Sequence, residues 1–450
     1  VLCGGGEEGD ADDATAWSAA YAQGLAAGDV SGDGRVRVAV LSTGEETEWI
    51  PEYLVFLGAD EAFNLRVGTR DAADDAALAD TFASVDAVFL KGGDQGEYYD
   101  RWNDTALETA IREVVARGGG VIGTSAGAMS QSSFALAGGA DYVTADVLAD
   151  SQTEYLDDVS DGGSGVHTDF FDFVPGVLVD THFVTRARLG RLVGAMARVV
   201  DDGAGSPVGI GLDEQTCITV HEGAAQVSGL GSATFVRPSV ETPVRVAGQP
   251  LIWAELQVDR LVEGWGWSLD YSAVIPAADA ETVERSGTTA LAEGDWEVNG
   301  GRVGDEARFG VTVDRSPLPY ATAEGTEPPL LTDGIGVLNA HDSDRRGAND
   351  EALFRALYDH VGAVGYLVGD GGMLRREGDT LVATRFGLTP LATMVIDSSD
   401  VSMRALSPYP SPADLGDGSL HAAALTGLRL HVVYTDGDGR VWDPVGRTVE

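Results

Sequence analysis

From Val1 to about Thr124, short apolar runs alternate with amphipathic stretches, the pattern left by the strands and helices of a parallel α/β sheet. Val1-Leu2-Cys3 reads as the end of a first strand running into Gly4-Gly5-Gly6. Further strands are expected at Arg35 to Leu41, Asn64 to Val67, Asp86 to Leu90 and Gly120 to Gly123. Helices are expected over Trp49 to Leu57, with Pro51 in the first turn, over Asp71 to Phe82 and over Trp102 to Arg117. In the last of these Leu107, Ile111, Val114 and Val115 recur at helical spacing, so one face can lie on the sheet. Right-handed crossovers would stack these elements into a doubly wound, mostly parallel layer.

Periodicity lapses between Ala137 and Phe173, where an acidic stretch rich in Gly and Ser predicts a surface loop. It returns at Val177 to Val179, in a helix from about Arg188 to Val200, and in strands at Val208 to Leu212 and Thr216 to Val220. Beyond about Val240 the texture becomes short β-like runs punctuated by Gly, Asp and Pro, ending at Leu428 to Tyr434 and a turn at Asp436-Gly437-Asp438-Gly439. The chain therefore divides into an α/β domain over 1–240 and a β-rich region over 241–450. Gly336-Val337-Leu338, His341, a helix from about Glu351 to Val361 and Gly365-Tyr366-Leu367-Val368 parallel an earlier stretch. That stretch is Gly176-Val177-Leu178, His182, a helix and Gly209-Ile210-Gly211-Leu212. A degenerate partial repeat and chance similarity are both open.

Composition narrows the partners. With 72 acidic and 29 basic residues the chain of 450 carries a formal net charge of -43, and Lys91 is its only lysine. Such a field repels phosphates, which argues against nucleic acid, and it destabilises the compact state unless salt screens it. A high-salt environment is expected, whether cytoplasmic or outside the cell. No apolar run is long enough to span a bilayer. The two cysteines, Cys3 and Cys217, sit in apolar strand-like stretches and are expected to be buried free thiols. Cys3 invites comparison with a lipoprotein cleavage site, but Leu2 stands where a small residue belongs.

The chemistry centres on Gly123-Thr124-Ser125-Ala126-Gly127. Glycines on both sides of a serine allow a sharp strand-to-helix turn, a nucleophile elbow, that lifts the hydroxyl above the sheet edge. The same turn would put the Ala126 amide at the start of a helix-like stretch, Ala126 to Leu136, where it can stabilise an oxyanion. His182, just after a strand in Val179-Asp180-Thr181-His182-Phe183, is the best base among seven histidines. Glu214 follows another strand and is the candidate to orient the imidazole, with Asp213 its rival. Arg186, Arg188 and Arg191 form a basic cluster in an acidic protein, a device for gripping carboxylates. Asp29 to Gly34 resembles the start of a calcium loop, but Val40 stands at the closing position, so a turn is expected. His167, Asp169 and Asp172 lack the further ligand a metal site needs, so neither metal nor cofactor is expected.

Gly4-Gly5-Gly6-Glu7, Gly92-Gly93-Asp94-Gln95, the Ser125 turn, Asp180-Thr181-His182-Phe183 with the three arginines, and Gly209-Ile210-Gly211-Leu212-Asp213-Glu214 occur in one order. In that order the first 240 or so residues resemble the cyanophycinase branch of the serine peptidases, whose fold is related to class I glutamine amidotransferases. The resemblance implies Ser125 as nucleophile, His182 as base, Glu214 as orienting acid, and Gly93 and Ala126 as oxyanion donors. Gln95, Asp180, Arg186, Arg188 and Arg191 would shape the substrate pocket. The implied substrate is cyanophycin, a polyaspartate backbone bearing arginine on its side-chain carboxyls, cleaved to β-aspartyl-arginine dipeptides. An aspartyl dipeptidase of the dipeptidase E type and an inactive binding protein on the same fold are the rival readings. For the region after Val240, covering the site, mediating homodimerisation and binding polymer are all open roles.

Overall fold

The computed structural model describes residues 1–6, 18–136, 143–157, 165–238, 240–270 and 272–283. Further on it describes 297–299, 311–312, 336–340, 347–359, 361–362, 364–368, 372–377, 380–385, 390–413, 420–435, 440–443 and 447–449. His341, the turn at 436–439 and residues 137–142 and 158–164 lie outside these residues. What is described of the stretch expected to be a surface loop is not one: Thr144–Ala149 and Glu154–Asp157 are short helices, and Val147, Leu148 and Leu156 are buried in the core.

The first part of the chain runs β1 (Leu2–Cys3), α1 (Ser18–Gly24), β2 (Arg37–Ser42), α2 (Trp49–Phe56), β3 (Glu61–Arg66), α3 (Arg70–Ala73), α4 (Ala77–Phe82), β4 (Ala87–Leu90), α5 (Gln95–Trp102), α6 (Ala106–Ala116), β5 (Gly120–Thr124) and α7 (Ala126–Met129). Then follow β6 (Ala135–Leu136), α8 (Thr144–Ala149), α9 (Glu154–Asp157), β7 (Val166–His167), β8 (Val177–Asp180), α10 (Leu189–Asp201), β9 (Val208–Leu212), β10 (Thr216–His221), β11 (Ala224–Gly229), β12 (Ala233–Arg237), β13 (Trp253–Leu261), β14 (Gly266–Ser268) and β15 (Ala273–Ile275).

Strands β1, β5, β4, β2 and β3 lie side by side and parallel. Their apolar runs are buried on both faces, as β4 shows, because helices cover the sheet. On α6 Leu107, Ala110, Ile111 and Val114 are buried in one cluster with Phe82, Val88 and Trp102. The helix expected over Asp71 to Phe82 is instead two, α3 and α4, and the one expected from Trp102 begins only at Ala106, Trp102 being the last residue of α5. The chain turns at Asp104 (φ 56), and Thr105 caps α6 by accepting the Glu108 N–H at 3.4 Å. The stretch after Ser125 is also shorter than expected. Ser130 Oγ donates to the Ala126 carbonyl and Ser132 Oγ to that of Met129, local bonds that compete with continuing a helix.

The sheets are mixed rather than mostly parallel. β10 joins β1 antiparallel and hairpins into β11 through Glu222 and Gly223, both at positive φ as a two-residue hairpin turn requires, and β14 and β15 extend that edge. The register sets Cys3 opposite Cys217, and the two form a disulfide. They are not free thiols. No local pattern announces a bond between residues 214 apart in sequence.

A second sheet of 12 strands begins with parallel β8 and β9, joined by α10, and continues through antiparallel β12 and β13. Beyond β13 lie His421–Val433, Thr393–Asp397, Val364–Val368 and Gly336–Ala340, the last two parallel with the helix Gly347–Asp359 between them in sequence. Hydrogen-bonded strands thus run unbroken from residues before 240 to residues after it. At the surface, Asp29 accepts the N–H groups of Gly32, Asp33 and Gly34, which closes the expected turn. Among the described residues no helix is long and apolar enough to cross a membrane.

Candidate active site

β5 ends in the first sheet and β8 and β9 end in the second, and each of the three hands the chain to one residue of the proposed triad. Ser125 follows β5 with φ 51 and ψ -117, a conformation that side-chain-bearing residues rarely adopt. Close approach makes the flanking glycines obligatory. A Cβ on Gly123 would sit 2.2 Å from the Gly127 carbonyl oxygen, and one on Gly127 would sit 2.1 Å from that of Leu90. The Ser125 N–H donates to the Cys3 carbonyl at 2.9 Å, so the neighbouring strand supports the turn.

His182 lies two residues past β8 with φ 48, and its N–H donates to the Gly4 carbonyl at 2.8 Å. Its Nε2 is 2.8 Å from Ser125 Oγ, and its Nδ1 is 2.6 Å from Glu214 Oε1. Glu214 is placed by the turn after β9, where the N–H of Gln215 donates to the Gly5 carbonyl at 2.8 Å. Asp213 turns the other way: it is buried, and its carboxylate accepts from Ser232, Val184 and Arg260. The glycine trio, quoted in sequence only as a motif, is the bed on which the imidazole rests. A Cβ on Gly5 (φ +88) would stand 2.5 Å from His182 Cε1. Gly5→Ala is expected to displace the ring and lower kcat about a hundredfold, the scale of a 1 Å misplacement. Steady-state kinetics with a matched circular dichroism spectrum check this.

Among the oxyanion candidates, Ala126 is buried at the start of α7. Gly92 approaches the serine: a Cβ on it would lie 3.9 Å from Ser125 Oγ, whereas one on Gly93 would meet the Tyr98 hydroxyl at 3.5 Å. Buried Tyr98, which the sequence did not single out, donates its hydroxyl to the carbonyls of Lys91 (2.8 Å) and Gly92 (3.4 Å). In a trans peptide the N–H points opposite to the C=O, so this bond aims the Gly93 N–H away from Tyr98. Gln95 opens α5, where Asp94 accepts the Gly96 N–H at 2.8 Å.

Residues 57–228 match peptidase family S51. The cyanophycinase of Trichormus variabilis is 32% identical over 228 residues, which are 49% of this chain and 70% of the relative. The Nostoc sp. cyanophycinase gives the same values. The chain belongs to the cyanophycinase-like S51 peptidases. The Synechococcus elongatus cyanophycinase is 32% identical over 185 residues, 40% of this chain and 51% of that one. A solved peptidase from an acI-B1 Actinobacterium is 20% identical with a TM-score of 0.39, covering 59% of this chain and 95% of that chain. Membership makes this chain an enzyme of serine-hydrolase character.

In this S51 peptidase the electrostatics around the imidazole oppose one another. Burial lowers the His182 pKa from its ordinary 6.5, the bond to Glu214 raises it, and the charges of Arg186 and Arg188 lower it further. The hydrogen bond from His182 holds the Glu214 carboxyl below its ordinary value. The basic cluster divides. Arg191 grips Asp180 with Nε at 2.9 Å and Nη2 at 3.0 Å, and Arg188 reaches the same carboxylate at 3.2 Å and the Thr181 carbonyl at 2.7 Å. Asp180 has no exposed surface, so its oxygens are engaged inside the protein. Arg186 is half-buried, close enough for its charge to act on His182. Elsewhere His167 stacks on Tyr99, Asp169 accepts from Tyr99 at 3.0 Å, and Asp172 bonds Ser133. Among the described residues no group of three potential metal ligands occurs.

Proposed function

We propose that the chain is a cyanophycinase-type serine peptidase that hydrolyses a polyaspartate-type substrate carrying β-linked arginine, releasing β-aspartyl dipeptides. The supporting observation is the hydrogen-bond chain from Ser125 through His182 to Glu214. In this reading Gly123 to Gly127 is a nucleophile elbow on the parallel core. Ser125 Oγ attacks the scissile carbonyl carbon as His182 Nε2 takes its proton, and the amides of Gly93 and Ala126 hold the oxyanion. His182 then returns the proton to the leaving amine, and water deacylates the serine by the same steps in reverse. Glu214 fixes the imidazole tautomer throughout. Gln95 and Arg186 contact the substrate, while Asp180, Arg188 and Arg191 stiffen the floor beneath them. Residues 1–240 form the catalytic domain, and 241–450 a supporting region related to it as a degenerate partial repeat. The formal charge of -43 fits a high-salt environment.

The test is release of β-aspartyl-arginine from cyanophycin by purified protein in high salt, against aspartyl dipeptides as the competing substrates. Cleavage of the dipeptides alone would move the assignment to the dipeptidase E type. The same assay reads the base. Because burial and the arginines lower the His182 pKa, the imidazole stays neutral below pH 6.5. The acid limb of kcat/KM is therefore expected at a midpoint below that value, with activity lost as pH falls through it. Arg186→Gln removes one depressing charge and should move the limb upward; an unmoved or lower limb would contradict this account.

A further inference from the structure

We propose that Arg260 is a positioning residue for the triad, held in place by Glu351 of the C-terminal region and acting through Asp213 on the Glu214–His182 pair. The proposal rests on the catalytic reading of that pair. Arg260 lies on β13 and has no exposed surface. Its Nη1 donates to Glu351 Oε1 at 2.8 Å and to the Ala423 carbonyl at 3.1 Å, and its Nη2 bonds Glu351 Oε2 and reaches Asp213 Oδ2 at 3.4 Å. Phe354, on the same helix as Glu351, faces the guanidinium at 4.5 Å. Glu351 is fully buried and Asp350 beside it nearly so, so two acidic neighbours from beyond residue 240 stabilise this cation, Glu351 by direct hydrogen bonds and Asp350 by its charge.

Asp213 is where the network meets the active site. Its Oδ2 accepts the Ser232 N–H at 2.8 Å and hydroxyl at 2.7 Å, while Oδ1 accepts the Val184 N–H at 3.1 Å. Val184 is two residues from His182, and Asp213 directly precedes Glu214, so one carboxylate joins the segments that carry base and acid. The backbone is clamped as well. The Asp213 N–H donates to the Ser232 carbonyl at 3.1 Å, and a Cβ on Gly4 would meet the Asp213 carbonyl oxygen at 1.9 Å, so rotation about Asp213 carries Glu214 with it. Catalytic groups tolerate displacements of only about 0.5 Å, and a carboxylate buried without its cation seeks new partners. The C-terminal region thus sets the angle from which Glu214 meets the imidazole.

Acylation of Ser125 by a fluorophosphonate probe, followed by intact mass and normalised to folded protein by near-ultraviolet circular dichroism, tests this without using the natural substrate. Glu351→Ala touches nothing in the triad and is expected to slow the limiting rate of labelling at least tenfold, leaving the half-saturating probe concentration within about twofold. Glu351→Gln, which keeps one acceptor for Arg260, should fall between it and wild type. A purely structural role would lower the melting temperature and leave the rate per folded molecule unchanged. Wild-type rates in both variants overturn the proposal, and if Glu351→Ala does not fold, a wild-type rate in Glu351→Gln does so alone. Failure of the wild-type protein to label at Ser125 would instead sink the catalytic reading itself.

Discussion

Ser125→Ala is expected to cut kcat by about 10⁴- to 10⁶-fold, the range seen when members of a working triad are removed. That corresponds to about 5.5–8 kcal/mol of lost transition-state stabilisation. KM should barely change, because the hydroxyl contributes to the reacting geometry rather than to holding the chain. His182→Ala should cost a similar factor, and the double variant little more, since nucleophile and base act as one unit. Dipeptide release by chromatography measures all three. More than about one per cent residual turnover in Ser125→Ala would remove Ser125 from the mechanism.

The same site predicts a stability effect of opposite sign. Ser125 sits at φ 51, ψ -117, where glycine is at ease and a Cβ is not. Ser125→Gly should therefore be inactive and more stable than wild type by about 1 kcal/mol, the low end of the cost of a strained backbone residue. A melting temperature below that of Ser125→Ala would argue against stored strain here.

Removal of the cystine should have the largest effect on stability. The bond between Cys3 and Cys217 closes a sequence separation of 214, and a loop of that size restricts the unfolded chain by about 5 kcal/mol. The Cys3→Ser/Cys217→Ser variant should lose that much in denaturant unfolding. Activity should suffer as well. Cys3 accepts the Ser125 N–H, Gly4 accepts that of His182 and Gly5 that of Gln215, so β1 and the glycines after it support all three segments of the proposed triad. Both sulfurs are buried. Alkylation in denaturant without reductant should leave the mass unchanged, and addition of two labels would show free thiols instead.

The two readings of the cysteines show where local pattern stops. An apolar stretch predicts burial, and both residues are buried, but pairing depends on β10 docking antiparallel against β1, an event set by the whole sheet. The helix boundaries failed for a smaller reason. Asp104 and the hydroxyls of Ser130 and Ser132 redirect the backbone within segments whose apolar spacing still reads as continuous helix.

The sequence by itself determined the parallel core strands, the glycine-flanked serine, and the order in which serine, histidine and acid follow successive strands. Those features live in short windows, where alternation, glycine placement and strand endings act locally. Tertiary structure alone decided which of two adjacent acids faces His182. Asp213 and Glu214 are chemically alike and stand on one turn, so the choice passes to distant partners: Arg260 and Ser232 take the first, and the imidazole held over Gly5 takes the second. It also committed Asp180 to Arg188 and Arg191, because a carboxylate enclosed on every side must find its charge partners within the protein. Residues adjacent in sequence are separated in role by neighbours that only the folded chain supplies.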